Sequence, residues 1–171
     1  MRVDQAVTIL SAGGILENCR VAGQLNLRSL SRTDDIRVPI TIRNVQLDSI
    51  CAPACQFHEV VLLDNVRVTG AANFWAGYFL AGLQASYSYF GAEVDFQCGG
   101  HNKGHDVDFK QCEFSGFVNF FDCWYEGPVS VHECTFSAGS NLLGNIGKPF
   151  QVRFDVPPGL EGNIGRLDLN G

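Results

Sequence analysis

The sequence predicts an all-β solenoid, on the strength of a repeat in its second half. Between Val107 and Gly139 the chain reads as three lines of eleven residues, VDFKQCEFSGF, VNFFDCWYEGP and VSVHECTFSAG. Apolar residues fall at positions one, three, six and eight of each line, and Gly or Ala comes at position ten. Each pair of apolar residues two apart faces one side of a short extended segment, and the next pair begins around a corner. A helical period would not keep these positions together, whereas a fixed repeat is typical of a solenoid.

The same line extends over most of the chain and divides it into segments. Residues 1–13 precede the pattern and are expected to form an N-terminal cap. Coils are predicted over 14–150, with loops near 31–39, where polar residues and a proline interrupt the line, and near 98–106, where one line is longer by two residues. Prolines then break the pattern, so 151–171 is expected to be a C-terminal cap or an oligomerisation segment. The prediction is one domain over 1–171, with about six coils and terminal caps.

Composition restricts the classes of partner. The 171 residues are 46% hydrophobic and 18% charged, with a net charge of −6. This balance argues against direct nucleic-acid binding and permits a basic protein partner. No apolar run is long enough to cross a membrane, and the N-terminus lacks the layout of a signal peptide, so we expect a cytoplasmic protein.

The seven cysteines are predicted to pack and not to form disulfides. Five of them occupy position six of the line, which faces inward: Cys19, Cys55, Cys112, Cys123 and Cys134. A free cysteine behaves as a small buried hydrophobe. An odd number without an export signal fits reduced thiols.

A recurring trio, small residue, Asp or Asn, then Leu or Phe, resembles the core motif of pentapeptide-repeat proteins. It occurs at 25–27, 72–74, 94–96, 107–109 (Val-Asp-Phe), 118–120 and 140–142. The resemblance implies a right-handed, four-sided parallel β-helix whose Leu or Phe and preceding small residue face inward. Here two lines make a coil of 22 residues, longer than is usual in that family, and such a coil also suits the three-sided β-helix of pectate-lyase-like proteins. The alternation of five and six residues between pairs favours four faces.

No constellation of residues indicates catalysis or a cofactor. Cys98, His101 and His105 have spacing that could suit zinc, but no fourth ligand is evident, so we expect a solvent-facing loop without metal. The sequence contains no nucleophile elbow, phosphate loop or dinucleotide fingerprint. We therefore expect a protein that is not an enzyme.

The most informative feature for function is a strip of large apolar residues at outward positions. Alternate lines share one half of the solenoid, and their positions four and seven carry Trp75, Tyr78, Phe121, Trp124, Leu143 and Ile146. Soluble monomers seldom expose such a patch. We expect it to bind a protein partner or a second copy of the chain, or else to be covered by the C-terminal segment.

These observations lead to a non-enzymatic protein-binding solenoid. Pentapeptide-repeat proteins that protect DNA gyrase are acidic rods thought to imitate DNA, so the resemblance implies a DNA-mimic inhibitor or protector of a nucleic-acid-binding enzyme, of the gyrase-protection or phage anti-defence type. The candidate acidic surface is Asp95, Asp108, Asp122 and Glu126. The alternative is a polysaccharide-binding or polysaccharide-cleaving β-helix, for which Asp108 near Lys110 is the nearest match to a catalytic pair.

Overall fold

The computed structural model describes all residues from Met1 to Gly171 and contains one α-helix, one 3-10 turn and twenty short strands. The helix α1 is Val3–Ser11, and the 3-10 turn is Leu27–Leu30. The strands are, in chain order, β1 (Ile15–Asn26), β2 (Asp35–Ile36), β3 (Ile40–Cys51), β4 (Gln56–Phe57), β5 (Val61–Val68), β6 (Ala72–Asn73), β7 (Tyr78–Phe79), β8 (Leu83–Ser86), β9 (Tyr89–Phe90), β10 (Val94–Asp95), β11 (Gly100–His101), β12 (Val107–Lys110), β13 (Glu113–Phe114), β14 (Val118–Asn119), β15 (Trp124–Tyr125), β16 (Val129–His132), β17 (Thr135–Phe136), β18 (Arg153–Phe154), β19 (Gly159–Glu161) and β20 (Ile164–Gly165).

The strands stack in parallel as a β-solenoid of about six coils. One coil runs through β12, β13, β14 and β15, and the next begins at β16, which pairs with β12 so that Val107 lies opposite Val129. We name the four sides faces A, B, C and D in that order. Face D is the six-stranded sheet β18-β15-β11-β7-β4-β2, whereas faces A to C are joined because the long strands β1, β3 and β5 bend around corners. Each coil thus has four faces, as the spacing of the apolar pairs favoured.

The interior is built from the four apolar positions of the repeated line. Val118, Phe120, Cys123 and Tyr125 are all at most 3% exposed, which confirms the predicted inward positions. Residues one coil apart stack on one another, because the strands of neighbouring coils pair in parallel. Phe114, for example, stacks on Phe136 with ring centroids 4.9 Å apart. A single coil cannot bury these side chains, so stability comes from its neighbours.

The corners depend on left-handed backbone conformations. Twelve non-glycine residues have φ between 51° and 62°, and they mark the corners between faces A and B or between faces C and D. Asparagine adopts this conformation at the least cost. At the A–B corner three asparagines also form a ladder, in which Asn65 donates to Asn44 at 2.9 Å and Asn44 donates to Asn18 at 3.2 Å.

The N-terminal part contains more regular structure than the repeat indicated. Residues 1–13 include α1, whose Ala6 and Leu10 are buried against the first coils. The segment 31–39, expected as a loop, contains β2, which pairs with β4 and places Ile36 in the core. Polar residues on either side of this two-residue strand hid it in the sequence. None of the helices has the length and apolar character needed to cross a membrane.

The loop expected over 98–106 is shorter than predicted. Gly100 and His101 form β11 and pair with both β7 and β15, so only residues 102–106 leave the coil and are exposed. Two adjacent glycines and a histidine suggested a loop. In the structure Gly99 takes position six, Gly100 position seven and His101 position eight of an ordinary line.

The C-terminal residues 151–171 contain strands that follow the coils. β18, β19 and β20 pair in register with β15, β16 and β17. Residues 146–151 form an insertion before them, between the corner residue Asn145 and the buried Val152. Phe154, Leu160 and Leu167 of this segment pack against the core and are partly buried.

We predict that Cys112, Cys123 and Cys134 do not react with a thiol reagent in the folded protein. All three are free and at most 2% exposed, and burial raises the pKa of Cys123 from 9.0 to about 12. That shift lowers the fraction of Cys123 present as the reactive thiolate at neutral pH. Mass-spectrometric labelling in native buffer measures the effect, with the half-buried Cys98 as the reactive control. Labelling of Cys123 as fast as that of Cys98 would contradict its inward position.

Candidate protein-binding site

Face D and the corner before it carry a cluster of large apolar side chains, which we call the aromatic patch. Its members are Trp75, Tyr78, Phe121 and Trp124. Trp75, Tyr78 and Trp124 are 44%, 39% and 40% exposed, whereas Phe121 is half-buried. Leu143, which was expected among them, instead lies beside Leu167, to whose carbonyl its backbone N–H donates at 2.7 Å. Tyr78 is on β7 and Trp124 on β15, with β11 between these strands. The outward residue of β11 is Gly100, so no side chain projects from the strand that lies between the Tyr78 and Trp124 rings.

Side-chain to backbone hydrogen bonds set the corner that carries Trp75 and Phe121. Asn73 Oδ1 accepts from the backbone N–H of Trp75 at 2.9 Å, and Asn119 Oδ1 accepts from that of Phe121 at 3.0 Å. This is the local bond that Asn and Asp make to the backbone two residues on. The middle residue of the recurring trio therefore has a structural role, since it fixes the backbone from which the aromatic side chain projects.

Trp124 is held by two residues of the C-terminal part. The guanidinium carbon of Arg153 lies 4.7 Å from the centre of the Trp124 ring, within the range of a cation–π interaction. The indole Nε1 of Trp124 donates to Asp155 Oδ1 at 3.0 Å. The ring is therefore oriented before any partner arrives, although two-fifths of the residue stays accessible.

Phe121 is covered by the chain itself. Phe150, from the 146–151 insertion, stacks on Phe121 with centroids 4.3 Å apart and ring planes 17° apart. The carbonyl of Phe150 also accepts from the backbone N–H of Asp122 at 2.8 Å. A segment near the C-terminus thus covers one member of the predicted strip and leaves Trp75, Tyr78 and Trp124 accessible.

Ile146 does not belong to the patch. It is 78% exposed and lies in the insertion, while Arg153 takes the strand position next to Trp124. A count of the line from Ser140 that ignores the insertion places Ile146 at position seven, the outward strand position. The sequence reading therefore missed Phe150, Arg153 and Asp155. The signal that could have found them is Val152-Arg153-Phe154, which has the two-apart apolar pair of positions six and eight.

The structure does not bring the candidate acidic residues onto one surface. Asp95 is on face C, where its Oδ1 accepts from the backbone N–H of Gln97 at 3.0 Å, and Asp108 is on face A. Asp122 is a corner residue between faces C and D, and Glu126 follows β15 of face D. These carboxylates are divided among faces A, C and D and the corner between C and D, and they do not form a stripe along one face.

A second feature is a polar groove on face A, with a volume of about 500 Å³. It is lined by Asp108, Lys110, His132, Glu133 and Glu161. Burial raises the pKa of Asp108, against the opposing effect of His132 and Lys110. His132 Nδ1 lies 3.7 Å from Glu161 Oε2. The groove therefore combines carboxylates with a lysine, as the alternative function requires.

No group of three or more His, Cys, Asp or Glu side chains is arranged to hold a metal ion. In particular, His101 of the candidate Cys98, His101 and His105 set is buried in the coil, whereas His105 is exposed in the 102–106 loop. Comparison with protein-family models, with curated proteins and with solved structures found no match to this chain.

We predict that Trp124→Ala lowers the free energy of unfolding by only about 1–2 kcal/mol, because it removes an exposed hydrogen bond and one cation–π contact. Phe120→Ala, the matched interior change four residues away, is expected to cost about 3–5 kcal/mol, because it leaves a cavity. Urea unfolding at neutral pH measures both. Equal losses would show that Trp124 is part of the core packing and is not free for a partner.

Proposed function

We propose that this protein is a non-enzymatic protein-binding module and that its partner docks on the aromatic patch. The observation that carries the proposal is the exposure of Trp75, Tyr78 and Trp124 together on one side of the solenoid. Trp and Tyr are enriched at the centres of interfaces, where truncating one anchor costs about 2 kcal/mol or more. The fold requires none of these three side chains, since all of them project away from the core.

The charge distribution supports a partner with a basic surface. The net charge is −6, and Asp122, Glu126 and Asp155 accompany the patch on its own side of the solenoid. The guanidinium of Arg153 already occupies one face of the Trp124 ring. An acidic surround with apolar anchors favours a protein whose docking face carries Lys and Arg around an apolar centre.

The finer proposal is that the chain belongs to the pentapeptide-repeat family and inhibits or protects a nucleic-acid-binding enzyme. Its support is the recurring trio, the four-sided coil and the acidic composition. The spread of Asp95, Asp108 and Glu126 over different sides favours docking through the aromatic patch over imitation of a continuous row of DNA phosphates. A basic nucleic-acid-binding enzyme fits either mode of contact.

The polar groove supports one alternative from another class, a polysaccharide-binding or polysaccharide-cleaving solenoid. Asp108 and Lys110 line the same groove, and a carboxyl group with a raised pKa is suited to proton transfer. The aromatic patch is on a different side of the coil from this groove. A sugar chain would therefore meet the groove without the stacking rings that saccharide binding commonly uses.

The test compares two variants of the whole chain, Trp75→Ala/Trp124→Ala in the patch and Tyr87→Ala outside it. Tyr87 is 56% exposed at the corner between faces A and B, so it controls for loss of an exposed aromatic ring. Self-association is measured by analytical ultracentrifugation, and affinity for each protein that co-purifies with the wild type is measured by titration calorimetry. We expect the patch variant to weaken one of these by at least about 30-fold, which corresponds to about 2 kcal/mol. Tyr87→Ala should leave it unchanged.

Equal affinities for the wild type and the patch variant would contradict the proposal. Binding or cleavage of acidic oligosaccharides that is lost in Asp108→Asn and Lys110→Ala, and kept in the patch variant, would establish the alternative instead.

A further inference from the structure

His101 is the only basic residue among the side chains that stack at one inward position of face D. The others are apolar or aromatic. Position eight of face D holds Ile36, Phe57, Phe79, His101, Tyr125 and Phe154 in successive coils. His101 is only 2% exposed, and neither of its ring nitrogens has a hydrogen-bond partner. A buried polar group without a hydrogen-bond partner destabilises the folded state, so the presence of His101 in the core suggests a use for it.

The ring is enclosed by neighbours from every side. Phe79 pairs below it, and Tyr125 pairs above it with ring centroids 5.3 Å apart. On the corner side, a Cβ built on Gly127 would lie 2.8 Å from His101 Nε2 and 2.9 Å from the carbonyl oxygen of Asn102. The 102–106 insertion therefore closes the corner beside the imidazole.

Few charged groups near His101 would stabilise the protonated form of its buried ring. Phe79 of β7 carries no charge, and burial raises the pKa of Tyr125 of β15 far above neutrality, so its phenol stays neutral. Two carboxylates act on the ring, Asp106 of the insertion and Glu126 after β15, and both stabilise the protonated imidazole. Their combined effect is smaller than the destabilisation of that form by burial. Burial thus lowers the pKa of His101. The backbone of His105 and Pro128 lies close enough to favour the protonated ring, but neither meets the geometry of a hydrogen bond to it, so burial has the larger effect.

We propose that His101 is an acid-sensitive switch beneath the aromatic patch, in which protonation of its ring drives β11 and the 102–106 loop out of the coil. A charged imidazolium is far more costly to bury than a neutral one. The pKa of His101 is lower in the folded than in the unfolded state. The contribution of the neutral ring to the free energy of unfolding is therefore fully present above the unfolded-state pKa of about 6.5, and it is lost as the pH falls below that value. Acidification therefore favours the open form.

Opening of β11 would disrupt the surface above it. The strand is held by three bonds: Gly100 N–H to the Gly77 carbonyl at 3.2 Å, Trp124 N–H to the Gly99 carbonyl at 3.0 Å and Glu126 N–H to the His101 carbonyl at 3.3 Å. β11 is the only strand between β7 and β15, which carry Tyr78 and Trp124. If the patch is the docking site proposed above, acid releases the partner.

Amide hydrogen exchange of the isolated chain tests the switch without any partner. Protection of the Gly100, Trp124 and Glu126 amides is measured at pH 7.5 and 5.5, after correction for the intrinsic pH dependence of exchange. We expect wild-type protection to fall by up to about tenfold, the limit set by one proton bound on opening with an unfolded-state pKa near 6.5. His101→Phe, which matches the neighbouring Phe79, should abolish the fall. His105→Gln, in the exposed loop, should retain it.

The same fall in His101→Phe as in the wild type, or no fall in the wild type, would overturn the proposal. If His101→Phe fails to fold, His101→Leu provides the same comparison with a smaller side chain. His58, 2.8 Å from Asp35, and His132, close to Glu161, are present in every variant, so the difference between variants reports on His101 alone. Because the exchange is measured without a partner, its failure is separate from failure of the binding proposal, whose test compares variants of the aromatic patch at a single pH.

Discussion

Every coil of this protein depends on a left-handed corner between two inward pairs of side chains. A residue in this conformation costs about 1–2 kcal/mol when it has a Cβ. Burying one large apolar side chain contributes about 1.5–3 kcal/mol, and each corner allows two pairs to be buried where a straight strand would bury one side only. Asn44 and Asn65 reduce the cost further by bonding to each other across coils. The corners make the four-sided core possible, and the burial of side chains in that core offsets the conformational cost of the corners.

The same geometry separates residues that build the fold from residues available for function. Positions one, three, six and eight are fixed by packing, as Phe120 and Cys123 illustrate. Positions four and seven face outward, and the backbone leaves their side chains free to vary. Large aromatic residues at these positions, such as Trp75 and Trp124, therefore indicate a use outside the core. Trp124 is additionally oriented by Arg153 and Asp155, which reduces the entropy lost when a partner binds.

The period of the sequence was sufficient to predict the solenoid and the inward cysteines, because each follows from counting positions. The same count gave the outward positions of Trp75, Tyr78 and Trp124. Counting failed where residues are inserted or where polarity disguised a core position. The insertion 146–151 displaced Ile146 and concealed Arg153. His101 was assigned to a solvent-facing loop because histidine and glycine rarely fill a core column. The grouping of Asp95, Asp108, Asp122 and Glu126 could not be tested by spacing alone, since it depends on which face of a closed coil each residue occupies.

The coil that contains β11 differs from its neighbours in what it offers for stacking. Gly100 supplies no side chain at position seven, where the neighbouring coils carry Tyr78 and Trp124, and His101 supplies an unbonded imidazole at position eight. In a stack where each layer touches only the layers beside it, cohesion is limited by the weakest contact. On face D the packing of this layer against its neighbours is therefore weaker than that of the other layers, although Phe96 of the same coil stacks on both Phe74 and Phe120. Tyr78 and Trp124 lie on the two strands that flank β11, so a partner in contact with both rings would also connect the coils on either side of this layer.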